Sequence, residues 1–245
     1  MTGMNVILVC VSGAHDGSEI LPTLNRWGIV YLNHSAEAPD ADAPEDVLRS
    51  GMELNPAEKP EALIAAFGFE TVPDGVLSKD AYGPMAADNV QRTAEILSWI
   101  RTEGDKLNEE NKPYFLTLRL KGAEGAEGPG TPAAATPTDL EGAEAGPGSM
   151  QEIDSCLDSL IGMMNESGLL NHTVVIILNR AEGQAVVIHP DRAGYNTVTE
   201  ETADADILAT ILTLGVTENG AAGPLPEGLK GRDLLSLTAT SGEEE

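Results

Sequence analysis

The segment TVVIILNRAEG, Thr173 to Gly183, decides the fold class. Val174 to Leu178 form an unbroken aliphatic run that is mostly β-branched. A strand with one face in water alternates apolar and polar residues, so such a run predicts a strand buried on both faces, as in a parallel sheet. In open α/β sheets the functional residues lie just beyond the carboxyl ends of such strands. There the chain carries Asn179, Arg180, Ala181 and Glu182.

Working outward, NVILVCV (residues 5–11), IVYLN (29–33), YFLTLRL (114–120) and AVVIH (185–189) also read as strands. Helices are expected at Ser18–Arg26, Val47–Met52 and Pro60–Phe67, the last with proline near its first turn. Over residues 86–103 a helical period puts Val90, Ala94, Leu97 and Ile100 on one stripe. Ser149 and Glu152 have capping-box spacing. The helix they open buries Ile153, Leu157, Leu160, Ile161 and Met164, and Gly168 stands where a left-handed cap is expected. A further helix at 205–214 carries Ile207, Leu208, Ile211 and Leu212 and ends at Gly215. Strands alternating with helices predict an α/β fold, a mainly parallel sheet covered by helices on both faces. The whole chain, residues 1–245, is read as one domain. Within it, 121–148 is a low-complexity loop of Gly, Ala, Pro, Glu and Thr, and 238–245 an acidic tail.

Lys and Arg number 14 against 40 Asp and Glu, a formal net charge of −26. That field repels nucleic acid and anionic membranes and favours cations or a protein partner with a basic surface. A solvated, salt-adapted surface accounts for the same composition. Cys10 and Cys156 sit in apolar runs and read as small buried hydrophobes, not as a disulfide or metal site. No run reaches the roughly 20 apolar residues of a membrane span, and no signal peptide precedes the first strand, so a cytoplasmic location is expected.

The order of these pieces resembles the alkaline phosphatase/sulfatase superfamily, in particular its sulfatase-like branch. The likeness is carried by NVILVCVSG, by LPTLNRWGIVYLNHSAEAP, by IDSCLDSLIGMMNESGLLNHTVVIILN, and by TADADILATILTLGV with LPEGLKGRDLLSL, which together span Asn5 to Leu237. The resemblance implies an ester hydrolase with divalent metal held by carboxylates and imidazoles at strand ends, and a Thr, Ser or modified Cys nucleophile. It also implies where those groups belong. The family's metal-binding Asp after the first strand matches Ser12; counting back from Leu48, Ser50 and Gly51 places Ala41 at the nucleophile and Glu45 at the following arginine. Its Ser-Asp-His/Asn-Gly after the central strand is matched by Asn179, Arg180 and Ala181, and the run from Lys121 to Gly148 offers no histidine.

The resulting expectation is a degenerate and truncated member of the superfamily, without catalytic residues, metal or cofactor, acting as a structural or interaction subunit of a larger assembly. Two alternatives stand beside it. One is a metal-dependent ester hydrolase on a remodelled site using His15, Asp16 and Asp42, with Glu19, Asp40, Glu45 and Asp46 as further carboxylates. The other is a small-anion sensor at Arg180, whose guanidinium suits phosphate or carboxylate. His34, His172 and His189 are read as surface or structural histidines.

Overall fold

The computed structural model describes residues 3–12, 24–36, 44–52, 59–72, 89–122, 149–179, 183–192 and 196–237. Its strands are β1 (Asn5–Ser12), β2 (Ile29–Ser35), β3 (Glu70–Thr71), β4 (Tyr114–Lys121), β5 (Thr173–Asn179), β6 (Gln184–Ile188) and β7 (Asn196–Ala203). They form one sheet in the order β3-β4-β1-β5-β6-β2-β7. Every pairing is parallel except those of β6, which runs antiparallel to both β5 and β2. All of β5 is buried, as its aliphatic run requires.

The apolar residues of β1 and β5 divide between two cores. Val6, Leu8, Cys10, Val174, Ile176 and Leu178 face α2 (Pro44–Ser50), α3 (Pro60–Ala66), α7 (Asp204–Thr217) and α8 (Leu234–Leu237). Ile7, Val9, Val11, Val175 and Ile177 face α4 (Asn89–Trp99) and α6 (Met150–Glu166). Helices therefore cover both faces, and both cysteines are buried and outside any disulfide. Of the expected helix at Ser18–Arg26, the described part is α1 (Leu24–Trp27). The 121–148 run lies outside the described residues beyond Gly122, and Lys121 itself closes β4.

Four features differ from the sequence expectation. β7 was not anticipated, because NTVTEETA is polar and lies at the sheet edge, where no second face demands apolar residues. α7 passes through Gly215 to Thr217, since that glycine serves close packing: a Cβ there would lie 2.5 Å from the Phe67 carbonyl oxygen. Ser149 caps α6 by accepting from the Glu152 N–H at 3.1 Å, but the Glu152 carboxylate turns to the Asn89 amide at 3.0 Å, so only half of the capping box is seen. The stripe Val90, Ala94, Leu97 and Ile100 is not the buried face of its helix. Ile100 alone of these is core, while Val90 is 53% exposed and the residues turned inward are Asn89, Arg92, Thr93 and Ile96.

Those inward polar residues close an open sheet edge. β3 pairs with β4 at Tyr114 and Phe115, and among the described residues no other strand pairs with the rest of that edge. The Asn89 amide donates to the Lys121 carbonyl at 2.8 Å and accepts from its N–H at 2.9 Å, and Arg92 donates to the Arg119 carbonyl at 3.3 Å. A helix here supplies the hydrogen bonds that a neighbouring strand would have made.

On the other face of the sheet, the segment after α7 is clasped to α7 and β2. Asp206 accepts from the Ala203 N–H at 2.9 Å and from the Arg232 N–H at 2.6 Å, and Thr210 accepts from the Leu234 N–H at 2.9 Å. The Tyr31 hydroxyl donates to the Leu234 carbonyl at 2.7 Å, and burial pushes its pKa up, so it stays a donor. Gly231 makes this approach possible: its φ is +86° and a Cβ would lie 2.5 Å from the Ala205 backbone. Gly231→Ala should therefore cost at least about 2 kcal/mol, read as a lowered denaturation midpoint at unchanged m-value.

Candidate functional site

Because β1, β4, β5, β2 and β7 run the same way, their carboxyl ends meet along one edge of the sheet, joined by the start of β6. Along that edge stand Lys121, Ser12, Asn179, Gln184, His34 and Ala203. Asn179 and Gln184 are partners across the β5–β6 pair, on the same sheet face as Val175, Ile177, Val186 and Ile188. Asn179 is 1% exposed, and among the described residues neither its amide oxygen nor its nitrogen has a hydrogen-bond partner. The Gln184 amide oxygen is also buried and unpartnered. Exchanging oxygen and nitrogen cannot repair Asn179, since both atoms lack partners.

The same edge holds a second polar group, and it is fully engaged. His34 is buried, with Nδ1 3.0 Å from Thr202 Oγ1 and Nε2 3.2 Å from Asp204 Oδ1. A carboxylate only accepts, so the Nε2–H donates to Asp204, while the Thr202 hydroxyl can serve Nδ1 as donor or as acceptor. The His34 N–H donates to the Gly183 carbonyl at 2.8 Å, which ties β2 to the turn ahead of Gln184. This imidazole is the satisfied structural histidine expected from the sequence. Its partners were not legible there, because Thr202 and Asp204 lie 168 and 170 residues further along the chain. Gln184 was missed as well. A single glutamine after a glycine carries no sequence signal, and only the antiparallel register puts it opposite Asn179.

Of the other expected positions that are described, Ser12 shares this edge and Glu45 does not. Ser12 ends β1, in register with Lys121. Glu45 sits on α2 and pairs with Arg49 one helical turn away at 3.0 Å, on the surface. Asp46 is exposed on the same helix. Ala41, Arg180, Ala181, His15, Asp16, Asp42, Glu19 and Asp40 lie outside the described residues.

A divalent cation needs oxygen donors that also balance its charge. The Asn179 and Gln184 oxygens are hard donors but neutral, and Lys121 adds a positive charge to the edge. The nearby described carboxylates are committed, Asp204 to His34 and Asp206 to two backbone N–H groups. Among the described residues no three His, Cys, Asp or Glu side chains are placed to hold a metal ion. The described edge therefore does not fit the metal that the sequence resemblance implies.

No family model matches the sequence, and no curated protein matches it either. Solved structures do match in fold. A protein in the alkaline phosphatase superfamily from Vibrio parahaemolyticus aligns over 96% of this chain and 70% of its own, at TM-score 0.59 and 13% identity. The chain has the alkaline phosphatase superfamily fold. The lipoteichoic acid synthase LtaP from Listeria monocytogenes aligns over 96% of this chain and 76% of its own, at TM-score 0.59 and 11% identity. A Bacteroides thetaiotaomicron protein connected with metabolism of multiple glycosaminoglycans aligns over 95% and 76%, at TM-score 0.60 and 12% identity. This fold is shared with hydrolases and sulfatases, and it leaves the chemistry of the individual site open. No helix among the described residues is long and apolar enough to cross a membrane.

Two outcomes test these placements. Asn179→Leu removes a buried amide without described partners, so stability should hold or rise by about 1 kcal/mol; a clear loss would mean that the amide is bonded in solution. His189 follows β6 at the opposite edge of the sheet, and burial, then the Arg192 cation, hold its imidazole below the ordinary 6.5. The unfolded chain then binds the proton more readily, so this group's contribution is full above that value and is lost on acidification. His189→Gln should flatten the loss between about pH 7 and about pH 5.5, measured by denaturant titration.

Proposed function

We propose that this chain is a non-catalytic member of its fold, working as a structural or interaction subunit beside a protein partner with a basic surface. One observation carries the reading. At the edge where the resemblance implies metal-binding carboxylates and imidazole, the described side chains are the neutral amides of Asn179 and Gln184, and the described histidine already uses both ring nitrogens. Such an edge has no described group free to deprotonate a nucleophile or to balance a metal ion. The net charge of −26 also opposes the approach of phosphate and sulfate esters, while it speeds encounter with cationic protein surfaces. The same charge argues against nucleic acid as a partner.

The test combines purification from source cells with activity on the same sample. We expect a stoichiometric protein partner, no tightly bound divalent metal, and no turnover of p-nitrophenyl phosphate or sulfate above buffer with Mg²⁺, Ca²⁺, Mn²⁺ or Zn²⁺ added. Metal-dependent turnover that disappears in Ser12→Ala or Arg180→Ala would overturn the proposal in favour of a remodelled hydrolase. Tight binding of inorganic phosphate lost in Arg180→Ala, without turnover, would favour an anion sensor instead.

A further inference from the structure

α4 and α6 begin side by side, with Asn89 bonded to Glu152, and a cleft of about 370 Å³ lies between them on the outer surface. α4 lines it with Val90, Thr93, Ala94 and Leu97, and α6 with residues 152, 155, 156 and 159. Both sets follow the i, i+3, i+4, i+7 spacing of one helix face, so two matched stripes flank a groove about 10 Å long. The α4 stripe is the one whose sequence reads as core, yet its first member Val90 is 53% exposed. Two parallel ridges with a furrow between them are what a third helix packs into, and the small Ala94, Ser155 and Ser159 permit close approach.

Glu152 is the charged residue among those that line the groove, and with the charge of the two helices it selects the occupant. Apart from the buried Arg92, every charged side chain on α4 and α6 is a carboxylate: Glu95, Glu152, Asp154, Asp158 and Glu166. An anionic lipid surface would be repelled, and a second copy would set one −26 chain against another. We propose that the α4–α6 groove docks an amphipathic, basic helix of a partner protein, with its apolar stripe on Val90, Ala94 and Leu97 and its cations toward Glu152 and the acidic outer surface of α6. This rests on the interaction-subunit reading only in taking the partner to be a protein. Binding and turnover are read separately, so either can fail alone.

The probe is a fluorescein-labelled Leu/Lys peptide of about 18 residues, long enough to be helical when bound, titrated with the full chain at physiological ionic strength. Val90→Asp and Ala94→Asp alter exposed positions and leave the fold intact, which an unchanged thermal melt confirms. Each should weaken binding about tenfold or more, whereas Ala222→Asp, an equal charge at an exposed position outside α4 and α6, should change it less than about twofold. No binding by the unaltered chain, or equal losses at all three positions, would overturn the proposal, the second pattern meaning diffuse charge attraction. Sedimentation of the unaltered chain alone supplies a further arm. Self-association abolished by Val90→Asp would assign the groove to a second copy and equally overturn it.

Discussion

Burial of β1 and β5 on both faces is the constraint from which the architecture follows. Each strand presents apolar side chains upward and downward, so the sheet needs two helical layers, and neither layer could be lost without exposing half of the central strands. Parallel strands in turn force crossovers, which carry all carboxyl ends to one edge. The position of the candidate site is thus a by-product of how the core is buried. The chemistry of that edge is set separately, by a handful of side chains that the core does not constrain.

The fold was legible where burial dictates composition and obscure where it does not. The aliphatic runs of β1 and β5 and the five-residue stripe of α6 announce themselves, because a position sealed on every side tolerates only apolar residues. β7 was hidden because an edge strand may be polar. α4 misled for a more specific reason: its inner face is occupied by Asn89, Arg92 and Thr93, recruited to satisfy the backbone of β4, which left its apolar stripe facing outward. Periodicity reports that a helix is amphipathic, and the choice of which face turns inward belongs to its neighbours.

The site divides in the same way. Asn179 could be found from the sequence, since it ends a recognisable strand. Its neighbour Gln184 depends on strand direction, and the His34–Asp204 pair on two segments meeting from distant parts of the chain. A hydrogen bond between residues 170 apart leaves no local trace. Resemblance to a superfamily supplied the scaffold on which these residues are arranged, and the scaffold by itself leaves open what they do there.

The sealing of the β4 edge by Asn89 and Arg92 bears on how this chain behaves when its charges are screened. At low ionic strength the net charge of −26 keeps molecules apart. Concentrated salt shortens the range of that repulsion to about 3 Å, and sheet edges then become the places where chains add to one another as aggregating strands. Here the carbonyls of Arg119 and Lys121 and the N–H of Lys121 already have side-chain partners. At this stretch of β4, stacking is opposed by geometry as well as by charge, and the geometric part does not fade when salt screens the charge.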